Sequence, residues 1–452
     1  MRNNAFVALI SLLLALQCSA TLASTPQPIP AGPVIQEEIS FEYAVYYLPR
    51  TQKDPLAALR RIMKSDYPNL KEASIQPGKV KGMNVHPRLI TDARSKYPPP
   101  DRQSLQYFGR GLDQEQVSAL QDSEQVLVLQ FNHPKQHVWT AARSATRLVS
   151  ALARDTGGLI WDEETREVFT PDAWDARRLK NWTGIIPNIT QHTVIHAYKN
   201  EELVRAITLG MGKFGLPDVV VDGFSWSNNK SMGNIINLLC QSLAETGALA
   251  KTGQYDLDIR QIKNASVRDP QLASLKENAS SVALLTLVKG VAEEGDPNNR
   301  LVQIMFDRYP GKDVHAKQNA LLGSLFGWED KATLIRHNEE LLAASKRVKE
   351  KLPMLQKTFS TGLKPGEFIL VKAPFATPTG SNEWMWVEII SWKGGKISGL
   401  LQNEPIAIPA LHGGQTVEVS DADVFDYIVQ YADGRHEGNE TGKIIEKMRQ
   451  AK

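Results

Sequence analysis

An aromatic-rich apolar run over Phe41–Leu48 and a near-continuous apolar run over Gln125–Phe131 predict two strands. Between them Asp54-Pro55 reads as a helix N-cap followed by proline at the first helical position, and Leu56, Leu59, Ile62 and Met63 share one face of the helix behind it. Pro77–Gln103 reads as irregular, because Pro98-Pro99-Pro100 forbids a continuous helix. His137–Arg154 repeats Val138, Ala141, Ala142, Ala145, Leu148, Val149 and Leu152 at helical spacing and stops at Gly157-Gly158. Leu159–Trp161 and Glu167–Phe169 form a hairpin pattern around Glu163-Glu164-Thr165. Thr193–Tyr198 and parts of Arg205–Val221 add strands, the latter broken by Gly210, Gly212, Gly215 and Pro217, and Ser231–Thr246 is a helix closed by Gly247.

A second stretch continues in the same style, with strands over Tyr255–Ile262, Val282–Val288 and Leu301–Phe306 and a helix over Ala316–Leu325. Asn338 then caps a long helix whose first turn is acidic, Glu339-Glu340, and whose later turns carry Lys346, Arg347, Lys349 and Lys351, in line with the helix dipole. Its buried stripe is Leu341, Val348, Leu352 and Leu355, and Pro353 marks a kink near its end. Strands with helices on one face, in no alternating order, predict an α+β class. The expected division is a signal peptide over 1–23, an extended linker over 24–36, an α+β domain over 37–250, a second α+β segment over 251–360 and a β module with a C-terminal helix over 361–452.

The densest pattern lies in Glu367–Asn403. Over Glu383–Trp392 a period of two places Met385, Val387 and Ile389 on one face and Trp384, Trp386, Ile390 and Trp392 on the other, with Glu388 among them. Both faces are apolar, so each calls for a cover. Gly394-Gly395 is a hairpin turn into Lys396–Asn403; Phe368–Pro374, Gln415–Val419 and Tyr427–Tyr431 complete five short strands. That density predicts a small SH3-like, partly open barrel. VKAPF (371–375), EWMWVE (383–388), GLLQNEP (399–405), QTVEV (415–419) and DVFDY (423–427), in this order, resemble the YegJ-like bacterial domain of unknown function over roughly Gly362–Lys443. The resemblance implies a bacterial protein with a compact β-rich module and implies no reaction.

Composition changes this picture little. The net charge of +2 over 452 residues, without a basic run, points away from nucleic acid, and no cofactor is implied. The N-terminus changes it more. Met1-Arg2, the apolar run Ala5–Leu16 and small residues to Ala23 read as a secretory signal peptide, too short to span a bilayer, so the mature chain is expected in the periplasm without a transmembrane segment. Gln17 does not fit lipoprotein processing at Cys18, and after cleavage Cys240 is the sole cysteine, in an apolar helix.

Candidate chemistry is sparse. The pairs His133/His137 and His192/His196 have metal-like spacing, but Pro134 and a strand pattern defeat it, and Asp296, Asn298 and Asn299 read as a turn. GMGKFG (210–215) spells a dinucleotide fingerprint without the strand and helix that would make it one. Trp384, Trp386 and Trp392, with Glu388, are the candidate binding surface, since crowded tryptophans suit recognition. The competing reading of the same face is packing against the rest of the chain. The functional expectation is a binding protein without catalysis whose β module contacts a protein or envelope partner, an immunity-type role included. The alternative is an envelope hydrolase using Glu383, Asp426 and His436 as an acid/base set.

Overall fold

The computed structural model describes residues 26–49, 54–73, 80–200, 203–225, 228–326, 339–378 and 382–450. The predicted signal segment with Cys18, and Asn338 as a helix cap, lie outside the described residues. Gly32–Pro33 forms β1, followed by β2 (Glu38–Tyr47), α1 (Pro55–Asp66), β3 (Leu70–Glu72) and β4 (Met83–Ile90). Asp54 caps α1 as the sequence predicts, its carboxylate accepting from the backbone N–H groups of Leu56 and Ala57. The short helices α2 (Ala93–Lys96) and α3 (Arg102–Phe108), β5 (Gly109–Arg110) and α4 (Gln114–Leu120) follow, and β4 and α2 fall within the stretch 77–103 that the proline run predicts to be irregular. Then come β6 (Gln125–Pro134), α5 (Val138–Thr156), β7 (Leu159–Asp162), β8 (Glu167–Phe169) and α6 (Pro171–Trp174).

These strands build a seven-stranded sheet in the order β3-β4-β6-β2-β7-β8-β5. β2 lies at its centre and pairs antiparallel with β6 and with β7. Ten residues of mixed aromatic and aliphatic type can occupy that position because both faces are covered. Tyr43, Val45 and Tyr47 join α1 and α5 in the large core, whereas Ala44 and Tyr46 join Leu105, Val117 and Leu120 in a smaller one on the opposite side.

The second sheet begins with β9 (Val194–Asn200), β10 (Leu203–Leu209) and β11 (Asp218–Phe224), followed by α7 (Asn229–Thr246), β12 (Ala248–Leu249), β13 (Gln254–Asp258), α8 (Ala265–Ala273), β14 (Val282–Lys289), β15 (Leu301–Met305) and α9 (Val314–Phe326). Its order is β13-β14-β15-β11-β10-β9, with β11 and β15 parallel, and β1 pairs separately with β12. One apolar core runs from Val34 to Leu325 beneath both sheets. The turn Gly212–Phe214 joins them: Phe214 packs on Trp139 of α5, and Gly215 accepts from the Gln36 amide.

The C-terminal unit starts with α10 (Glu339–Thr361), which continues through Pro353, and adds β16 (Phe368–Ala376), β17 (Asn382–Lys393), β18 (Lys396–Leu401), β19 (Thr416–Ser420), β20 (Asp426–Gln430), β21 (His436–Gly438) and α11 (Glu440–Gln450). The six strands form an open antiparallel sheet, β19-β18-β17-β16-β20-β21, that does not close into a barrel. Val348, Leu352 and Leu355 of α10 pack on the face that carries Ile369, Val371, Met385, Val387 and Ile389. The α+β class holds throughout. Among the described residues no helix is long and apolar enough to cross a membrane.

Candidate functional site

The predicted tryptophan face divides. Trp384 and Trp386 lie half-buried on the side of β17 away from α10, where Trp384 packs against Phe425 with ring centroids 4.5 Å apart. Trp392 does not join them. The register of β17 on β18 slips between Ile389 and Ser391, a bulge that inserts one residue and reverses the alternation. Trp392 is thereby 7% exposed in the core with Met385 and Val387, and its indole N–H donates to Asp421 at 3.2 Å. Gly399 allows the slip, because a Cβ there would collide with the Glu388 carbonyl oxygen. The same bulge pushes Ile390 into solvent.

Beside Trp386 the opposite residue of β16 is Lys372, whose ammonium sits 5.7 Å from the indole centroid. Glu388 lies one step further along and accepts from Gln402 at 3.2 Å. Burial lowers the Lys372 ammonium against the opposing pull of Asp426, and burial raises the Glu388 carboxyl. The surface is therefore two indoles flanked by an acid and a base, each held partly out of water. Next to it the Gly366 amide donates to the Gln106 carbonyl of α3, and Gln114 donates to the Leu363 carbonyl, so the first sheet's helices adjoin this module.

The acid/base set is not assembled. Glu383 accepts from the amides of Ile406 and Ala407 at 2.8 and 3.0 Å and fixes the loop after β18. Asp426 is fully buried and caps α11 through the Thr441 amide and hydroxyl at 2.8 and 2.5 Å. His436 is exposed on the edge strand β21, opposite Gln430. By register Glu383 faces Phe375, Asp426 faces Lys372 and Gln430 faces Phe368. Seven residues of β16 separate the first from the last, a span of roughly 23 Å at the usual rise per residue.

Of the histidine pairs, His192 and His196 separate. His133 is buried with Nδ1 3.1 Å from the Pro134 carbonyl, and burial holds it at about 4. His192 is enclosed edge-on to Trp182, while His196 stacks on Phe108 with centroids 4.7 Å apart. Asp296 accepts from Arg205 at 2.7 Å, and Asn299 donates to Asp218 at 2.7 Å, so that turn is tied to the second sheet.

Two features escaped the sequence reading. One is a buried charge network at the junction of the sheets. Arg178, entirely out of solvent, donates to Asp162 at 2.8 Å, Thr165 at 3.0 Å and Glu167 at 2.8 Å, and also to the Gln191 carbonyl. Lys213, within GMGKFG, reaches Asp162 at 2.7 Å, and Arg110 reaches Glu167 at 2.8 Å. Phe169 and Trp174 lie against the Arg178 guanidinium. Burial alone would raise Glu167, but Arg177, Arg178 and Arg110 overcome it and hold the carboxyl at about 2. Glu164, where Lys213 opposes burial only in part, is pushed by burial up to about 7. Gly210 is required here, since it stands at φ 109° and a Cβ would come 2.8 Å from the His192 carbonyl oxygen and 2.8 Å from Thr165. Gly215, at φ 67°, packs instead on Ile39, which a Cβ would meet at 2.5 Å.

The other feature is a cavity of about 480 Å³ on the outer side of the first sheet, where Tyr97–Pro100 bridges α2 and α3. Its walls include Tyr46, Tyr97, Phe108 and Trp161. The signals were present but dispersed: a proline run beside tyrosines, and charges inside the short apolar strands β7 and β8.

Comparison with known families adds one finding. Residues 338–451 match the bacterial family described as "uncharacterized protein conserved in bacteria" (DUF2314). The DUF2314 region takes in α10, the open sheet and α11, so the family model treats the long helix and the sheet it covers as one unit. No curated protein and no solved structure matches the chain.

Proposed function

We propose that the chain is a secreted, periplasmic binding protein, and that its DUF2314 region, YegJ-like in its motifs, contacts a protein partner of the envelope through the outer face of β16 and β17. The observation that carries this reading is the split of the tryptophans. Trp392 supplies the core, whereas Trp384 and Trp386 stay half-buried on the face that α10 leaves uncovered. Residues of this type at a solvent boundary contribute large contact area at low entropic cost. Lys372 and Glu388 beside them offer one donor and one acceptor whose partial desolvation is already met by the fold. A protein surface presenting an aliphatic or aromatic knob with polar groups on either side fits this chemistry. An immunity-type role belongs to the same class.

The test is capture from a periplasmic and envelope extract by the chain and by its Trp384→Ala, Trp386→Ala variant, with folding checked by circular dichroism. Loss of one specific partner by the folded variant supports the surface, and undiminished capture removes it. No observation favours the hydrolase alternative, because Glu383 and Asp426 are each engaged in local backbone capping and His436 lies strands away.

A further inference from the structure

The cavity beside the first sheet has fixed walls. Tyr46 donates to the carbonyls of Tyr97 and Pro98, both at 3.2 Å. Tyr97 donates to Glu42 at 2.7 Å and to Glu163 at 3.2 Å, and the Trp161 indole N–H donates to Glu163 at 2.6 Å. The hydroxyls of Tyr46 and Tyr97 and the Trp161 N–H are therefore spent inside the protein, which leaves their ring faces toward the space between them. Phe108 adds another, backed by the stacked His196 ring, which burial and Arg166 hold at about 4 and so leave neutral near pH 7. The one carboxylate of the lining, Glu163, accepts from the Trp161 N–H at 2.6 Å and stands 3.2 Å from the Tyr97 hydroxyl, whose single proton is shared with the nearer Glu42.

The cations of the lining are in the opposite condition. Lys96 is exposed and has no carboxylate partner among the described residues. Arg166 spends one N–H on a neutral acceptor, the Gly295 carbonyl at 3.0 Å, and it too has no carboxylate partner among the described residues. Arg166 also stands at φ 56°, a left-handed conformation that glycine or asparagine would adopt at less cost. The β7–β8 hairpin thus keeps a strained arginine where a relaxed glycine would serve the turn. Uncommitted cations beside aromatic walls select an anion carried on a ring, and the volume lies within the range of small-molecule sites, roughly 300–1,000 Å³.

We propose that this cavity is a binding site for a ring-bearing carboxylate, with the ring between Phe108, Tyr46 and Trp161 and the carboxylate at Arg166 and Lys96. The site is independent of the tryptophan surface of the DUF2314 region. The test uses the full chain and three probes by calorimetry and saturation-transfer NMR: 2-naphthoate, its neutral counterpart 2-naphthamide, and acetate. Naphthoate is expected to bind saturably, with naphthamide and acetate each weaker by about tenfold or more. Arg166→Gly should weaken naphthoate by about tenfold without lowering the melting temperature, and Lys96→Gln, at an exposed side chain, should weaken it severalfold on an unaltered fold. Phe108→Ala should weaken naphthoate and naphthamide alike. Absence of saturable naphthoate binding up to about 10 mM would overturn the proposal. So would equal affinity for naphthamide, or unchanged affinity in folded Lys96→Gln and Arg166→Gly.

Discussion

Replacing Arg178 by methionine would remove the guanidinium from a network with no access to water. Asp162 would keep Lys213 at 2.7 Å, and Glu167 would keep Arg110 at 2.8 Å with Arg177 at 3.8 Å, but each carboxylate would lose a bond of 2.8 Å. Methionine fills much of the stem's volume between Phe169 and Trp174, so the loss is chiefly electrostatic. Breaking a buried ion pair by removing one partner costs about 3–5 kcal/mol, against a total folding stability of about 5–15 kcal/mol. At about 2–4 °C per kcal/mol the corresponding transition should fall by roughly 6–20 °C. Differential scanning calorimetry and urea unfolding followed by circular dichroism measure it.

Two controls sharpen the result. Arg154→Ala removes an arginine that also bonds two carboxylates, Asp172 and Asp175, but at the surface, and should cost about 0–1 kcal/mol. Adding Asp162→Asn and Glu167→Gln to Arg178→Met removes the stranded charges and should recover part of the loss. The pH dependence has a definite sign. Glu167 is held at about 2 when folded against an ordinary 4.5, so its stabilisation is complete above pH 4.5 and is lost as pH falls toward 2. That loss is on the order of 3 kcal/mol and should shrink in Arg178→Met. A destabilisation below about 1 kcal/mol by Arg178→Met would refute this account of the network.

Glu164 should act with the opposite sign: raised to about 7, it contributes stability fully present below pH 4.5 and lost as pH rises through 7, so Glu164→Gln should gain about 1–3 kcal/mol at pH 8 and little at pH 4, read from urea midpoints. Gly399→Ala should cost about 1–3 kcal/mol in thermal unfolding, since the added Cβ meets the Glu388 carbonyl oxygen and Val387 Cγ1. Trp392→Ala should cost about 3–5 kcal/mol and Trp384→Ala distinctly less, a difference that circular dichroism melts resolve. Cys240, whose thiol burial raises far above its ordinary range, should react with a thiol reagent only after the chain is unfolded.

Where the sequence was legible, one face of an element was buried and its period stayed regular. Helix α5 shows this case: Val138, Ala142, Leu148, Val149 and Leu152 meet the core at the spacing they display, and Gly157 ends the helix at φ 77°. Strand β4 shows the converse. It lies within the stretch 77–103 that reads as irregular and holds Pro87 in its middle, yet β3 pairs only with Met83–Val85, so at Pro87 that side of β4 is an open edge where a missing N–H is tolerated. The tryptophan strand failed differently. The alternation seen in the sequence holds up to Ile389, and the bulge that sends Trp392 to the core is a property of the pair of strands, signalled only by Gly399 on the neighbour. The charge network was the least legible, because Asp162, Glu167, Arg178 and Lys213 are individually indistinguishable from surface charges. Their meeting is a consequence of two sheets sharing one core, and that is a long-range fact. The same topology places the hairpin of Glu163 and Arg166 between that network and the aromatic cavity: a turn anchored from below by Asp162 and Glu167 can hold Arg166 in a strained conformation without help from a ligand. The stability of the network and the preorganisation of the cavity are thus one structural argument, and Arg178→Met should weaken naphthoate binding at temperatures well below its melting transition.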